Sequence, residues 1–494
     1  MLWKSQISFW FGGKIVMKNI FILKNLLFVI FLIGVVSSTA FPQFGSSGTI
    51  DARSMGLAKT YNSTSMGIYS IGINPANLSI MDEGSVEFST IIPLPFISFH
   101  SGTDFLSMNQ LNYYFGGVDG KARVLTENDK QDFNELFSDG GAVFANFSTT
   151  LFSFALKSSI ETGSFALSVS DFAGGNVTIP QAIVDLGLNG NQPGKKYDFN
   201  DEKFKSWWIR NYGISYSREF PMESEGWLKN ISAGISFKLV HGYYYAGIEK
   251  VNTNIETGSY NEITGNADMI GYSAFSDGFG VKYDFDSLEH ESKLGLFMPP
   301  AGNGFGFDLG LSFRLEDNWN VSFALTDIGS INWTKNAAKF NVESEIFIDD
   351  LTNEEQLDSL KDKFTGNAEA IGSFSTGLPT VFRFGLGYAV NEEDNFLPGT
   401  LLLGLDYNQG FNDLPGNSLT PRVSFGFEWK PGDWIPYLRS GISIGGSDGF
   451  AWAVGLGLYT GVIEFNFATS YFQTIVSPNA AKQISFAFGS RWKF

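Results

Sequence analysis

The dominant pattern in this chain is strict alternation of apolar and polar positions. Between Gln483 and Phe494, Ile484, Phe486, Phe488, Trp492 and Phe494 fall on even positions. Gln483, Ser485, Ala487, Gly489, Arg491 and Lys493 fall on odd ones. A β-strand sends neighbouring side chains to opposite faces, so one face here is aromatic and the other polar or small. A soluble sandwich would alternate in the same way. Three features favour a transmembrane barrel: the strand ends on the last residue, that residue is Phe, and the pattern recurs upstream in segments of about ten residues.

The same parity orders the upstream segments. In residues 305–315, Phe305, Phe307, Leu309, Leu311 and Phe313 share one face, and Gly306, Asp308, Gly310, Ser312 and Arg314 the other. Residues 231–239, 319–325, 423–429, 450–458 and 463–471 behave likewise. The small and polar face then collects charge: Lys238, Asp308, Arg314, Arg383, Asp406, Arg422, Glu428, Arg439, Glu464 and Arg491. On a barrel these line the lumen, either as an ion-pair network that stiffens a filled barrel or as the wall of a polar path.

Bacterial outer-membrane barrels have short periplasmic turns and long external loops. With the C-terminus placed in the periplasm, the connections near Thr460 and at 431–434, 391–398, 316–318, 220–227 and 159–162 fall on the periplasmic side, and all are short. The long connections at 100–148, 173–207, 256–303 and 328–379 fall outside, and 446–448 is a short external link. The prediction is an all-β, antiparallel transmembrane β-barrel of about 14 strands. A hairpin hidden in 256–303 would raise the count to sixteen. Two external loops carry short helices. Thr352-Asn353-Glu354-Glu355 is a capping box before Leu357, Leu360 and Phe364, and Thr126 precedes Phe133, Leu136 and Phe137. They pack over the mouth, as plain cover or as a ligand-binding lid.

Composition agrees with a barrel. The 494 residues include 49 Phe and 56 Gly, which suits strands with an aromatic outer and a small inner face. Mean hydropathy is close to zero because alternation averages out. Beyond the N-terminus no run approaches the ~20 apolar residues of a membrane helix. The absence of Cys excludes disulfides, thiolate metal sites and lipid attachment through Cys.

Residues 1–40 read as a secretory signal: Lys18 and Lys24 precede the apolar run 26–36, and Ser38-Thr39-Ala40 offers a cleavage site. This segment holds four Lys and no acid, which leaves 29 basic against 51 acidic residues after cleavage. That balance argues against nucleic acid as a partner.

Residues 41–83 lie between the signal and the barrel at 84–494. They contain Ala52-Arg53-Ser54-Met55-Gly56 and, further on, Asn74-Pro75-Ala76. Pro75 fixes its own φ and pushes Asn74 toward an extended shape, so the tripeptide is a local turn. The two elements together resemble the N-terminal region of the FadL-like family, the long-chain fatty-acid transport barrels with their PorV-type relatives. The resemblance covers this N-terminal region by motif and the rest only by architecture. It implies that 41–83 fold into the barrel as a plug carrying Arg53, Met55, Gly56, Asn74, Pro75 and Ala76. Separately, a strand ending on a C-terminal aromatic resembles the signal by which bacterial outer-membrane barrels are recognised for insertion, which implies that Phe488, Trp492 and Phe494 are read by the barrel assembly machinery.

Enzyme signals are poor. Gly441-Ile442-Ser443-Ile444-Gly445 matches G-x-S-x-G, but that motif needs a strand–turn–helix elbow and here sits within a strand pattern. His100, His241 and His290 have no metal-ligand spacing, and no calcium loop is present. The expectation is a non-enzymatic outer-membrane barrel, without cofactor or metal, in contact with outer-membrane lipid. The resemblance implies a conduit or binder for small hydrophobic molecules. The alternative is a non-transport barrel that partners the proteins of a secretion or surface complex. An apolar lining beneath the loops would favour the conduit.

Overall fold

The computed structural model describes residues 51–494, apart from 82–83, 118–120, 122, 139, 201, 223–225, 261, 283–292, 350–355, 357–366, 391–396, 433 and 447–448. The signal segment, residues 41–50, His290 and the helix expected after Thr352 lie outside the described residues.

Fourteen strands build the wall. β1 runs in two pieces, Val86–Thr90 and Phe96–Thr103, followed by β2 (Gly141–Ser159), β3 (Gly163–Ile179), β4 (Lys203–Pro221) and β5 (Leu228–Val251). Next come β6 (Gly302–Leu315), β7 (Trp319–Trp333), β8 in two pieces (Phe374–Gly377 and Val381–Val390) and β9 (Thr400–Gly410). The last are β10 (Arg422–Lys430), β11 (Tyr437–Gly445), β12 (Gly449–Tyr459), β13 (Ile463–Thr469) and β14 (Gln483–Lys493). Each pairs antiparallel with its chain neighbours, and β14 returns to β1 through Phe488↔Ile97 and Trp492↔Phe88. The ring is therefore closed, which removes the free edges an open sheet would expose.

Alternation explains why these segments form this wall. On β6, Phe305, Leu309 and Leu311 are exposed on the outside, whereas Asp308 and Ser312 are buried inside. An apolar outer face with inward small and polar groups is stable only where the outside is not water. Connections at one end are short, as at 160–162 and 316–318, and those at the other are longer, apart from the link at 446–448.

Three features depart from plain alternation. β1 is interrupted at residues 91–95. There the Leu94 carbonyl accepts from Ser490 N at 3.1 Å, and Ile91 and Ile92 stand exposed. β5 overshoots the wall on the long-loop side, where it pairs with the strand Ile263–Phe275, which in turn pairs with Ala338–Ile348. Residues 256–303 thus add no membrane hairpin, and the ring stays at fourteen. β13 ends at Thr469 rather than continuing to Tyr471. Tyr471 turns inward, 3% exposed, and stacks on His100 with ring centroids 5.1 Å apart.

Short helices sit in the long loops. Glu127–Glu135 is capped by Thr126 and Asp129; its Phe133 packs on Phe137, just beyond the helix, and Phe137 packs on Phe105. Gly441–Gly445 is ordinary strand in β11, with Ile442 and Ile444 outside and Ser443 inside.

Candidate functional site

The candidate site is the lumen, which has two storeys. The lower one, toward the short-loop end, holds the inner segment 51–81. The upper one is apolar.

The inner segment begins with helix α1, Ala52–Gly56. Asp51 caps it by accepting from Ser54 N at 2.8 Å. Burial pushes the Asp51 carboxyl up to about 6, against the opposing pull of the Ser54 amide. α1 aims Arg53 at the wall, where Nε and Nη2 lie 2.8 and 2.9 Å from the two carboxylate oxygens of Glu428 on β10. Burial acts to lower the Arg53 guanidinium. Glu428 outweighs it and holds the group well above its ordinary range. Gly56 lies against β12 so closely that a Cβ would come 3.0 Å from Gly455 Cα. Met55 is buried against Ala487 and Ala468.

Glu428 starts a ladder of alternating charge. It also accepts from Arg439 Nε on β11. Arg439 reaches Glu464 on β13 at 3.3 Å, Glu464 meets Arg491 on β14, and Arg491 meets Glu87 on β1 at 2.9 Å. Arg439 spans β12 because Gly457 has no side chain; a Cβ there would lie 2.8 Å from its guanidinium nitrogens. Three guanidiniums and three carboxylates alternate, so each buried charge has an opposite neighbour. Glu87 closes the ladder onto the inner segment by accepting from Ile68 N at 3.0 Å. Tyr69 packs under the Arg491 guanidinium, 4.4 Å from ring centroid to Cζ, and its hydroxyl accepts from Asn466 Nδ2.

The inner segment is fastened on the other side too. Asp406 on β9 accepts from the amides of Tyr61 and Asn62 at 2.5 and 2.6 Å. Asn77 Nδ2 donates to Asn62 O at 2.6 Å, which ties the two turns together. Asn74 caps the 3-10 turn Pro75–Ser79 by accepting from Ala76 N at 3.1 Å. This turn seats in a notch made by two glycines paired across the wall, Gly234 and Gly310. A Cβ on Gly234 would come 2.3 Å from the Pro75 carbonyl carbon, and one on Gly310 would come 2.1 Å from Asn74 Oδ1. Ser217 and Lys157 then bond the carbonyls of Ala76 and Ser79.

The structure brings together most of the sequence-predicted charges. Lys238 pairs with Asp308 at 2.8 Å, and also with Asp327 at 2.6 Å. Arg383, Asp406 and Arg422 are buried on adjacent strands. Arg314 is the exception: it shares the inner parity but lies exposed beside the 316–318 turn, at the rim rather than in the lumen. Phe488, Trp492 and Phe494 point outward. Trp492 and Phe494 each stack on Phe88, at 5.7 and 5.8 Å.

The upper storey was not predicted. Trp207, Ile209, Val240, Tyr245, Ile331, Trp333, Leu378 and Leu414 form a buried cluster inside the ring, with Phe172, Tyr272 and Phe374 packed against it. Gly242 makes room for it; a Cβ there would come 2.3 Å from the Trp333 ring.

A family model described as a family of unknown function, DUF5723, matches residues 85–470. Comparison with curated proteins found no match. Among solved structures, the P. putida toluene transporter TodX is 11% identical, with 90% of this chain and 96% of that one covered and a TM-score of 0.42. The CymD monoaromatic hydrocarbon channel is 12% identical, covers 92% and 99%, and has a TM-score of 0.42. A Pseudomonas aeruginosa FadL homologue is 12% identical, covers 92% and 99%, and has a TM-score of 0.44.

Proposed function

We propose that this chain, which belongs to the DUF5723 family of unknown function, is a bacterial outer-membrane barrel that binds and passes small hydrophobic molecules. The single observation that carries the reading is the apolar upper storey. A lumen that admits water and ions has a polar lining. Here the space beneath the long loops is filled by Trp207, Trp333, Tyr245, Leu378 and Leu414. Such a surface receives an apolar solute without desolvating polar groups. The membrane setting is supported by the exposed apolar outer face and by the closed ring. With the long loops outside and the C-terminus in the periplasm, the apolar storey faces the cell exterior and the inner segment acts as a plug beneath it.

Because the cluster is packed and the ladder holds the plug, passage requires a rearrangement of the lower storey. The test is uptake of a fluorescent apolar probe by cells with and without the protein, and with Leu414→Glu. The expected result is faster uptake with the wild type and loss of that gain with Leu414→Glu at equal barrel yield. Equal uptake with and without the protein would sink the conduit.

A further inference from the structure

Three arginines in this barrel repeat one gesture. Arg53 gives Nε and Nη2 to Glu428, Arg210 gives the same edge to Asp171, and Arg491 gives it to Glu464. That edge carries two parallel N–H groups, which is why it matches an anion. Arg383 on β8 is 3% exposed and donates Nη1 to Asn408 Oδ1 at 2.9 Å. Its Nε and Nη2 meet no protein acceptor, and neither does Asn408 Nδ2.

The orphaned groups sit on paired strands and are packed from both sides. Asn408 stands in register between Arg383 and Arg422. Asp406, two residues along β9, is turned to the inner segment, where one of its oxygens takes both the Tyr61 and Asn62 amides. Lys238 is matched by Asp308 and Asp327. On this part of the wall Lys238, Arg383 and Arg422 stand with Asp308, Asp327 and Asp406, and none of these carboxylates bonds the Nε/Nη2 edge of Arg383. Above, the β9–β10 loop folds inward, with Asn417 buried and its Nδ2 donating to Thr380 O at 3.1 Å. Below, the inner segment presses on Gly385, where a Cβ would come 2.9 Å from Ser63 N.

We propose that Arg383 and Asn408 hold a small inorganic anion of the halide class, seated on the Nε/Nη2 edge of Arg383 and the Nδ2 of Asn408. A buried guanidinium edge without a partner is costly, and an anion completes it as the carboxylates do for Arg53, Arg210 and Arg491. A monatomic ion fits better than a tetrahedral oxyanion because the neighbouring wall has no spare room. Cβ atoms on Gly385 and Gly410 would come 2.6 Å from Asp406 Oδ1 and 2.2 Å from Asn417 Oδ1. The ion would join the β8–β9 wall to the plug from above, as Asp406 does from beside it. This site goes beyond the conduit reading and stands without it.

The test uses the full-length barrel purified in detergent. Crystals grown in bromide should show an anomalous peak beside Arg383 Nε and Nη2. The melting temperature should be several degrees higher in chloride or bromide than in gluconate at equal ionic strength, because gluconate is too large to enter. Arg383→Met and Asn408→Leu should lose that difference while keeping heat-modifiable migration on gels. If Arg383→Met does not fold, the bromide peak in the wild type decides alone. Water density without an anomalous signal, or equal melting in halide and gluconate, would overturn the site.

Discussion

Arg53 lies side-on against Glu428, two hydrogen bonds joining residues 375 positions apart. The contact ties the start of the inner segment to the wall and heads the charge ladder. Arg53→Met would strand part of the Glu428 charge, since Arg439 alone remains on it. Removing one partner of a buried pair costs about 3–5 kcal/mol. We expect a lower denaturation midpoint and larger conductance in planar bilayers; an unchanged midpoint would show that the contact fastens nothing.

The paired glycines Gly234 and Gly310 make a sharper test of the plug. Gly310→Val places carbon where Asn74 Oδ1 now sits. The wall strand itself tolerates Val, which favours β structure. The outcome should be a folded, heat-modifiable barrel whose turn at Pro75–Ser79 has lifted away, read as leak of a small polar dye. A tight barrel would mean the turn closes nothing.

Asp51 makes the stability of the inner segment depend on pH. Its carboxyl lies at about 6 in the fold against 3.8 ordinarily, so its contribution is fully present below about 4 and is lost as pH rises through about 6. Asp51→Asn keeps the helix cap and removes the titration. The variant should match the wild type near pH 4 and exceed it by roughly 1–3 kcal/mol near pH 7. Denaturant midpoints at the two pH values check this, and parallel curves would refute it.

Phe494 exchanges both backbone hydrogen bonds with Val86, each at 2.9 Å, and so seals the ring. Phe494→Asp puts a charge beside the outer apolar face, a cost of up to ~1 kcal/mol near the interface and more with depth. Membrane yield should fall well below that of Ser153→Ala, a buried lumenal control. Equal yields would remove Phe494 from the closure.

Orientation is open to labelling because the chain has no native Cys. Gln131→Cys, in a long-loop helix, should react with an impermeant maleimide on intact cells. Asp317→Cys, in the β6–β7 turn, should react only after permeabilisation. The reverse order would invert the barrel.

Much of this architecture was legible in the sequence, and the failures share a cause. Period-2 alternation gave the fourteen strands and the sorting of their loops because a strand's faces are fixed by parity. A bulge breaks parity. On β7, Val321 and Phe323 point out, but Asp327 takes a φ of 57° and the register shifts, so Ile331 and Trp333, also odd, point in. On β5 the shift beside Tyr243 does the same for Tyr245. Ile331, Trp333 and Tyr245 lie beyond these bulges, where parity counted from the membrane segment points the wrong way. Asp327 itself offered no such signal; its amide bonds Asp308, a contact made only once β6 and β7 pair. Glu87 was missed because β1 is cut at 91–95, which left its first piece too short to show a period.

The fastening of the inner segment also sets an order in time. The segment precedes the wall strands in the chain, yet Asp406, Glu428 and Glu464, which anchor it directly or through the ladder, come from the last quarter of the chain. Its native bonds span most of the sequence, a separation that slows folding. Until β9 to β14 arrive, Arg53 and the Tyr61 and Asn62 amides have nothing to hold. The turn at Pro75–Ser79 can seat on the early strands, but the stretch from Arg53 to Asn62 waits unheld and locks only when the final strands come in to meet the first.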